Sequence, residues 1–160
     1  MNFKGLTIAA LLCATPAFAG TASGTFNVTA TVLNNCSLST SDLAFGNYSA
    51  TSATPNTAGT SLAVTCTSAL PYTVALDGGN TAANVSARTM SDGSGHTLSY
   101  GLYTTGTYAT IWGDGTGTTS TQAGTGNGSA QSLTVYGKIP AGQYVKSGSY
   151  TDRITVTVAY

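Results

Sequence analysis

Between Gly24 and Leu33 the sequence reads Gly-Thr-Phe-Asn-Val-Thr-Ala-Thr-Val-Leu, and from Phe26 to Val32 it alternates without a break. Phe26, Val28, Ala30 and Val32 fall on one side, and Asn27, Thr29 and Thr31 on the other. A two-residue period with β-branched residues on both faces describes a strand that buries one side only; no helical stripe passes through these positions. The pair Asn34-Asn35 follows as a hinge-like joint, immediately before Cys36. Such a leading strand has two possible destinations. It joins the sheet of its own molecule, or it is lent to a neighbour.

The other end of the sequence carries an equally clear pattern. Tyr150, Asp152, Ile154, Val156, Val158 and Tyr160 alternate with Thr151, Arg153, Thr155, Thr157 and Ala159. The alternation predicts a strand over 150–160 with no successor to form a hairpin. It therefore either pairs internally on both sides or presents an open edge of the kind soluble proteins normally cover. Between the two ends, short alternations are separated by turn residues: 43–48, 61–67, 72–76, 96–103 and 131–139. Many short strands with almost no helical period argue for an all-β antiparallel sandwich. Two segments read as loops, the Ser/Thr/Ala/Pro-rich 49–59 and the Gly/Thr-rich 113–129, and Trp112 reads as a core residue.

Residues 1–19 have the form of a secretory leader: Lys4, an apolar run from Leu6 to Cys13, and Ala17-Phe18-Ala19 before Gly20. That apolar run is too short to span a bilayer. Cys13 is a poor lipidation site, because Leu12 stands where a small residue is expected. Removal of the leader leaves Cys36 and Cys66, an even number in an exported chain, and hence one expected disulfide. Only 6% of residues are charged, against about 25% in an average soluble domain, and the formal net charge is zero. Nucleic acid is excluded as a partner by the lack of a basic footprint. With 30 Thr, 17 Ser and 9 Tyr, the composition suits β-surfaces that pack against other surfaces.

Catalytic and metal chemistry find little support. The single histidine, His96, lies in Ser91-Asp92-Gly93-Ser94-Gly95-His96, where Ser, Asp and His are neighbours in a turn and do not converge from separate elements as a triad requires. No Gly-x-Ser-x-Gly elbow occurs, the five Asp are scattered, and Glu is absent. The turns Asp77-Gly78-Gly79 and Gly113-Asp114-Gly115 each bring one carboxylate, too few for a calcium loop. Neither an enzymatic activity nor a cofactor is expected.

Taken in order, several short motifs resemble a known family. They are Cys36, Phe45-Gly46-x-Tyr48, Val64-x-Cys66, Tyr72-x-Val74-x-Leu76-x-x-Gly79, Arg88-x-Met90, Leu98-x-Tyr100-x-Leu102-Tyr103 and Trp112-Gly113. Val135-Tyr136-Gly137-x-Ile139-Pro140 and Gly148-x-Tyr150-x-Asp152-x-Ile154-x-Val156-Thr157-Val158-x-Tyr160 complete the set. Together they resemble the spore coat protein U domain, the family that includes subunits of archaic (Csu-type) chaperone–usher pili. The resemblance implies an incomplete immunoglobulin-like β-sandwich completed by donor-strand complementation. Residues 20–33 would be the donor extension, with Gly24, Phe26, Val28, Ala30 and Val32 on the inserted face, and 34–160 the sandwich.

On the same resemblance, Asn34 and Asn35 would form the hinge, Cys36 and Cys66 the intradomain disulfide. Tyr150, Asp152, Ile154, Val156, Val158 and Tyr160 would flank the acceptor groove. The implied partners are other copies of the chain in a linear homopolymer, a periplasmic chaperone, an outer-membrane usher and tip subunits. The implied role is that of a shaft subunit of an extracellular pilus, exported through the periplasm and supporting surface attachment and biofilm formation. A minor linking subunit, a spore coat or matrix protein, and a monomeric glycan-binding sandwich using exposed aromatics such as Tyr103, Tyr108, Trp112 and Tyr136 are the alternatives.

Overall fold

Short alternating runs, broken by glycine, proline and hydroxyl-rich turns, give eight strands: β1 (Cys36–Thr40), β2 (Asn56–Cys66), β3 (Pro71–Leu76), β4 (Arg88–Ser91), β5 (Thr97–Tyr103), β6 (Gln122–Thr125), β7 (Gln131–Ile139) and β8 (Val156–Ala159). The computed structural model describes residues 19–160, and among them there is no helix. All but the last residue of the expected leader, with Cys13 inside it, lies outside the described residues. The chain divides between Thr31 and Val32. In the first unit the described residues form no strand and are exposed.

In the second unit the strands build two antiparallel sheets. One has five strands in the order β1-β2-β7-β5-β4; the other has three, in the order β6-β3-β8. The alternation seen in the sequence becomes the inner face. Leu62, Val64 and Cys66 of β2, Tyr72, Val74 and Leu76 of β3, Leu98, Tyr100 and Leu102 of β5, and Val135 and Ile139 of β7 are all buried. Trp112 is fully buried, and its indole N–H donates to the Val74 carbonyl across 3.0 Å, tying the connection after β5 to the smaller sheet. Cys36 and Cys66 face each other in the β1–β2 register and are joined by a disulfide. Its 30-residue separation corresponds to about 3–4 kcal/mol on the chain-entropy estimate.

The leading run 26–32, expected as a strand, forms none, and β1 and β4 appear where no strand was expected. The structure departs from the expected elements in four further places. The alternating run 43–48 is not a strand: Gly46 turns the chain at φ 67°, and Asn56 Nδ2 donates to the carbonyls of Phe45 and Asn47 at 3.1 and 3.0 Å, so those carbonyls are satisfied without a ladder. The expected loop 49–59 already belongs to β2 from Asn56, where small residues pair with Ile139–Tyr136. The expected loop 113–129 contains β6, paired with the first half of β3. Gly124 sits there because a Cβ would collide with the Tyr72 ring. The strand expected over 150–160 is confined to Val156–Ala159.

Trp112→Phe removes the bond to Val74 and part of a fully enclosed side chain. We expect a loss of about 2–3 kcal/mol in unfolding free energy, measurable as a lower urea midpoint with an unchanged slope.

Candidate functional site

β8 is the end strand of the smaller sheet and β1 the end strand of the larger one. Register fixes how these two edges run. Cys36 lies opposite Cys66, at the end of β2, and Ala159 lies opposite Thr73, near the start of β3. Both therefore sit at the end where β2 turns into β3. The segments 36–48 and 150–160 thus run in opposite directions along the two lips of one opening between the sheets. Its floor is Leu62, Leu76, Tyr100, Leu102 and Val135; its lips are Thr40 to Phe45 and Thr151 to Val156, around about 500 Å³ of space. A second space of about 680 Å³ continues from it, sharing Leu43, Phe45, Met90 and Tyr150 and ending against Tyr48, Leu98, Ile139 and Val145. Leu43, Phe45, Met90, Val145, Tyr150, Ile154, Val156 and Val158 pack against the core yet are only partly buried. The core is open along this side.

The β8 lip is held by carboxylates. Asp152 Oδ1 accepts from the backbone N–H groups of Asn80 (2.9 Å), Thr81 (3.1 Å) and Arg153 (2.9 Å), while Oδ2 accepts from the Tyr100 hydroxyl at 2.7 Å. Asp77 Oδ1 accepts from Gly79 N–H (3.0 Å) and Thr155 N–H (2.9 Å). Backbone bonds share the work: Thr151 bridges Ser91 of β4 in both directions at 2.9 Å, and the Thr155 and Arg153 carbonyls accept from Asp77 N–H (3.1 Å) and Asn80 N–H (3.2 Å). The segment 150–155 is thus tied at several separate points, and the regular strand begins only at Val156. The side-chain alternation survives nonetheless: Tyr150, Asp152, Ile154, Val156 and Val158 are half-buried and their neighbours exposed, as is Tyr160.

Behind the lip, Arg88 is buried at 1% exposure. It donates from Nε to Asp77 O (2.8 Å) and from Nη2 to Asp77 O (2.6 Å), Trp112 O (2.9 Å) and Leu76 O (3.3 Å). On the far lip the Tyr48 hydroxyl accepts from Gln143 N–H (2.8 Å) and donates to Pro140 O (3.0 Å). The Gln143 amide pairs with both backbone groups of Ser99, at 2.8 and 2.9 Å. A side-chain amide thus takes over a ladder position where Pro140 has no N–H to offer.

The Spore Coat Protein U domain matches residues 22–157. The chain belongs to that family. Within it, Protein U of Myxococcus xanthus is 34% identical, over 95% of this chain and 92% of its own length. A crystal structure of the CsuC–CsuE chaperone–tip adhesion subunit pre-assembly complex, from archaic chaperone–usher Csu pili of Acinetobacter baumannii, contains a chain of the same fold. The match has a TM-score of 0.61 and 25% identity, and it covers 81% of this chain but 40% of that one.

In this spore coat U domain, the residues expected to be donated form no strand. Phe26, Val28 and Val32 are 86, 84 and 82% exposed, and Gly24 and Ala30 are exposed too. The expected hinge is divided. Asn34 makes no such bonds, but Asn35 is fixed: Thr67 N–H donates to its carbonyl at 2.9 Å, and its own N–H donates to the Thr67 hydroxyl at 3.1 Å. That hydroxyl also lies within donating distance of Leu33 O, at 3.3 Å. His96 closes a turn on Asp92 (Nδ1 to Oδ2, 2.8 Å), and Asp114 accepts from Thr116 at 2.6 Å. Among the described residues no hydrogen bond joins a serine hydroxyl to the His96 ring. Arg88, Asp77, Tyr48 and Gln143 were not singled out in the sequence as groove residues. A lone Arg amid apolar alternation was the available signal for the first of them.

Electrostatics give a pH test. Desolvation pushes the Asp77 carboxyl upward, but the bonds from Thr155 and Gly79 and the charge of Arg88 outweigh it and hold the group below the ordinary 3.8. A depressed folded value contributes stability above the unfolded value and loses it as pH falls through the folded one. Asp77→Asn should therefore be less stable than the parent at neutral pH. Its stability should also fall less between pH 5 and 2, measured by thermal melts across that range.

Proposed function

We propose that the protein is a shaft subunit of an extracellular chaperone–usher pilus, polymerising head to tail by placing its N-terminal strand in the groove of the next copy. On this reading residues 1–19 are removed on export and 20–33 are the donated extension. A periplasmic chaperone fills the groove before the outer-membrane usher exchanges it, and tip subunits end the fibre. Attachment and biofilm formation are the roles such a fibre serves. The observation that carries the reading is the match between an apolar groove with half-covered walls and an exposed segment of alternating apolar residues, in a spore coat U domain whose fold resembles a chain of the Csu pilus complex.

Dimensions and energetics support it. Gly24 to Val32 spans eight residue steps, roughly 27 Å extended, and the lip from Tyr150 to Val158 has the same number. Strand addition supplies backbone bonds along an open edge and places alternate side chains in pockets. Burying Phe26, Val28 and Val32 at about 1.5–3 kcal/mol each, with a smaller Ala30 term, gives roughly 5–9 kcal/mol gross, against which association and ordering costs act. Because the incoming strand finishes a core, its removal requires partial unfolding of the acceptor, and the joint resists separation kinetically. Donation always to the next molecule is a heterologous contact, which builds an open fibre.

A coat or matrix role is the second reading, favoured by the similarity to Protein U along nearly the whole of both chains. Strand donation is compatible with it; the difference lies in whether a chaperone and an usher handle the subunit.

Electron microscopy of the exported protein decides the first reading. Full-length chain should form thin fibres, whereas deletion of residues 21–33 should leave subunits that still bind the chaperone but do not polymerise. Val28→Asp, which places a carboxylate in the groove, should reduce fibre yield more than about tenfold. A full-length product that stays monomeric with its own first segment docked, in the presence of the export machinery, would overturn the proposal.

A further inference from the structure

The face of the five-stranded sheet turned away from the core is almost uniformly hydroxyl-bearing. Ser39 of β1, Ser61 and Thr65 of β2, Thr134 of β7 and Ser99 of β5 point to it, alternating with the buried positions. One cluster interrupts that surface. Tyr103 lies opposite Tyr136, and Gly101 opposite Lys138, in the β5–β7 register. Lys138 is the one charged side chain these strands present on this face. Its Nζ stands 5.3 Å from the ring centroids of both Tyr103 and Tyr108. The two rings meet edge to face at 90°, with centroids 5.5 Å apart. Among the described residues Lys138 forms no ion pair.

The loop that carries Tyr108 is built at a cost. Tyr103 bridges to Ile111, and Tyr108 N–H donates to Thr105 O at 3.1 Å, closing a tight turn in which Tyr108 has φ 55°. Glycine or asparagine is favoured at that conformation, and a side chain with a Cβ is strained there. The other two non-glycine residues with positive φ, Ala69 and Ala83, are small; Tyr108 alone places a large ring by this means. Gly106 in the same loop lies against the Tyr136 ring, where a Cβ would come within 3.2 Å of Cε1. Strain held by a ring that adds nothing to the core is a reason to look for a ligand there.

We propose that Tyr103, Tyr108, Tyr136 and Lys138 form a binding site for an acidic polysaccharide, a chain of uronate-type sugars. Aromatic rings offer flat apolar faces to the C–H face of a pyranose. An ammonium between two rings offers a charge-assisted bond to one carboxylate, and the surrounding hydroxyl face provides polar contacts to sugar hydroxyls. Nucleic acid is disfavoured because its affinity comes from several cations spaced along the phosphates; here one ammonium stands among three rings, which suits a single sugar ring bearing one carboxylate. The site lies on the outer face of the larger sheet, opposite the face that lines the groove.

Binding of exported full-length protein to polygalacturonate, with neutral dextran as control, tests the assignment by co-sedimentation at low and high salt. Saturable, salt-sensitive binding to polygalacturonate and none to dextran is expected. Lys138→Met should weaken it by more than about tenfold, while Lys138→Arg, which keeps the charge, should retain most of it. Tyr108→Gly, at a backbone conformation that glycine adopts freely, should keep the melting temperature within a few degrees yet weaken binding. Absence of saturable binding, equal binding to dextran, or parental affinity in Lys138→Met would overturn the proposal. So would variants that alter only the association of this face with further copies.

Discussion

Apolar side chains that are held in place but only half covered set the character of this fold. Leu43, Phe45, Met90, Ile154, Val156 and Val158 lean on a well-buried centre, yet the sheets that should enclose them differ in width, five strands against three. A sandwich derives most of its stability from interdigitation of its two inner faces. Here that interdigitation is complete around Trp112, Val74 and Leu76 and incomplete between β1 and β8. The centre folds the chain; the margin leaves surface whose burial is still available. That division accounts for a domain that keeps its shape while one side of its core stays open.

Polar anchors behind the apolar walls hold the lips of this margin. Asp152 and Asp77 fasten the segment before β8 to the 77–81 turn through backbone N–H groups, and Arg88 caps three inward carbonyls beside it. Burial lowers the Arg88 pKa while neighbouring Tyr100, Asp77 and Asp152 oppose the shift. Burial and the bond to Asp152 push the Tyr100 hydroxyl far up, so that it stays a donor. Across the opening, Tyr48 and Gln143 perform the same task with neutral groups. Buried polar networks of this kind are costly when broken and rigid when whole.

Much of this was legible in the sequence because alternation maps directly onto burial. β2, β3, β5 and β7 fall where Val64, Val74, Leu102 and Val135 keep a two-residue period. Other parts were hidden for identifiable reasons. The first residues of β2 are Asn, Thr, Ala and Gly, too small to signal a period, and are recruited by pairing with β7. β6 lies in a Gly/Thr-rich stretch and exists because β3 offers it an edge. The run 43–48 alternates convincingly, but Gly46 and the Asn56 amide bend it out of any ladder. Of the groove, the apolar wall at 154–158 could be read and the carboxylate anchors could not, since a bond from Asp152 to a turn seventy residues earlier leaves no local trace. The tyrosine–lysine cluster was visible only as scattered aromatics, one of which, Trp112, belongs to the core.

The bracket around Asn35 has a mechanical meaning. Tension applied through the N-terminal segment enters the body at Leu33 and Asn35, where it first loads the hydrogen bonds to Thr67. One residue later it reaches the disulfide at Cys36, which hands it covalently to the end of β2. The short β1 ladder is bypassed, and the force is delivered along an eleven-residue strand shared with β7, where many bonds must shear together before any one of them can open.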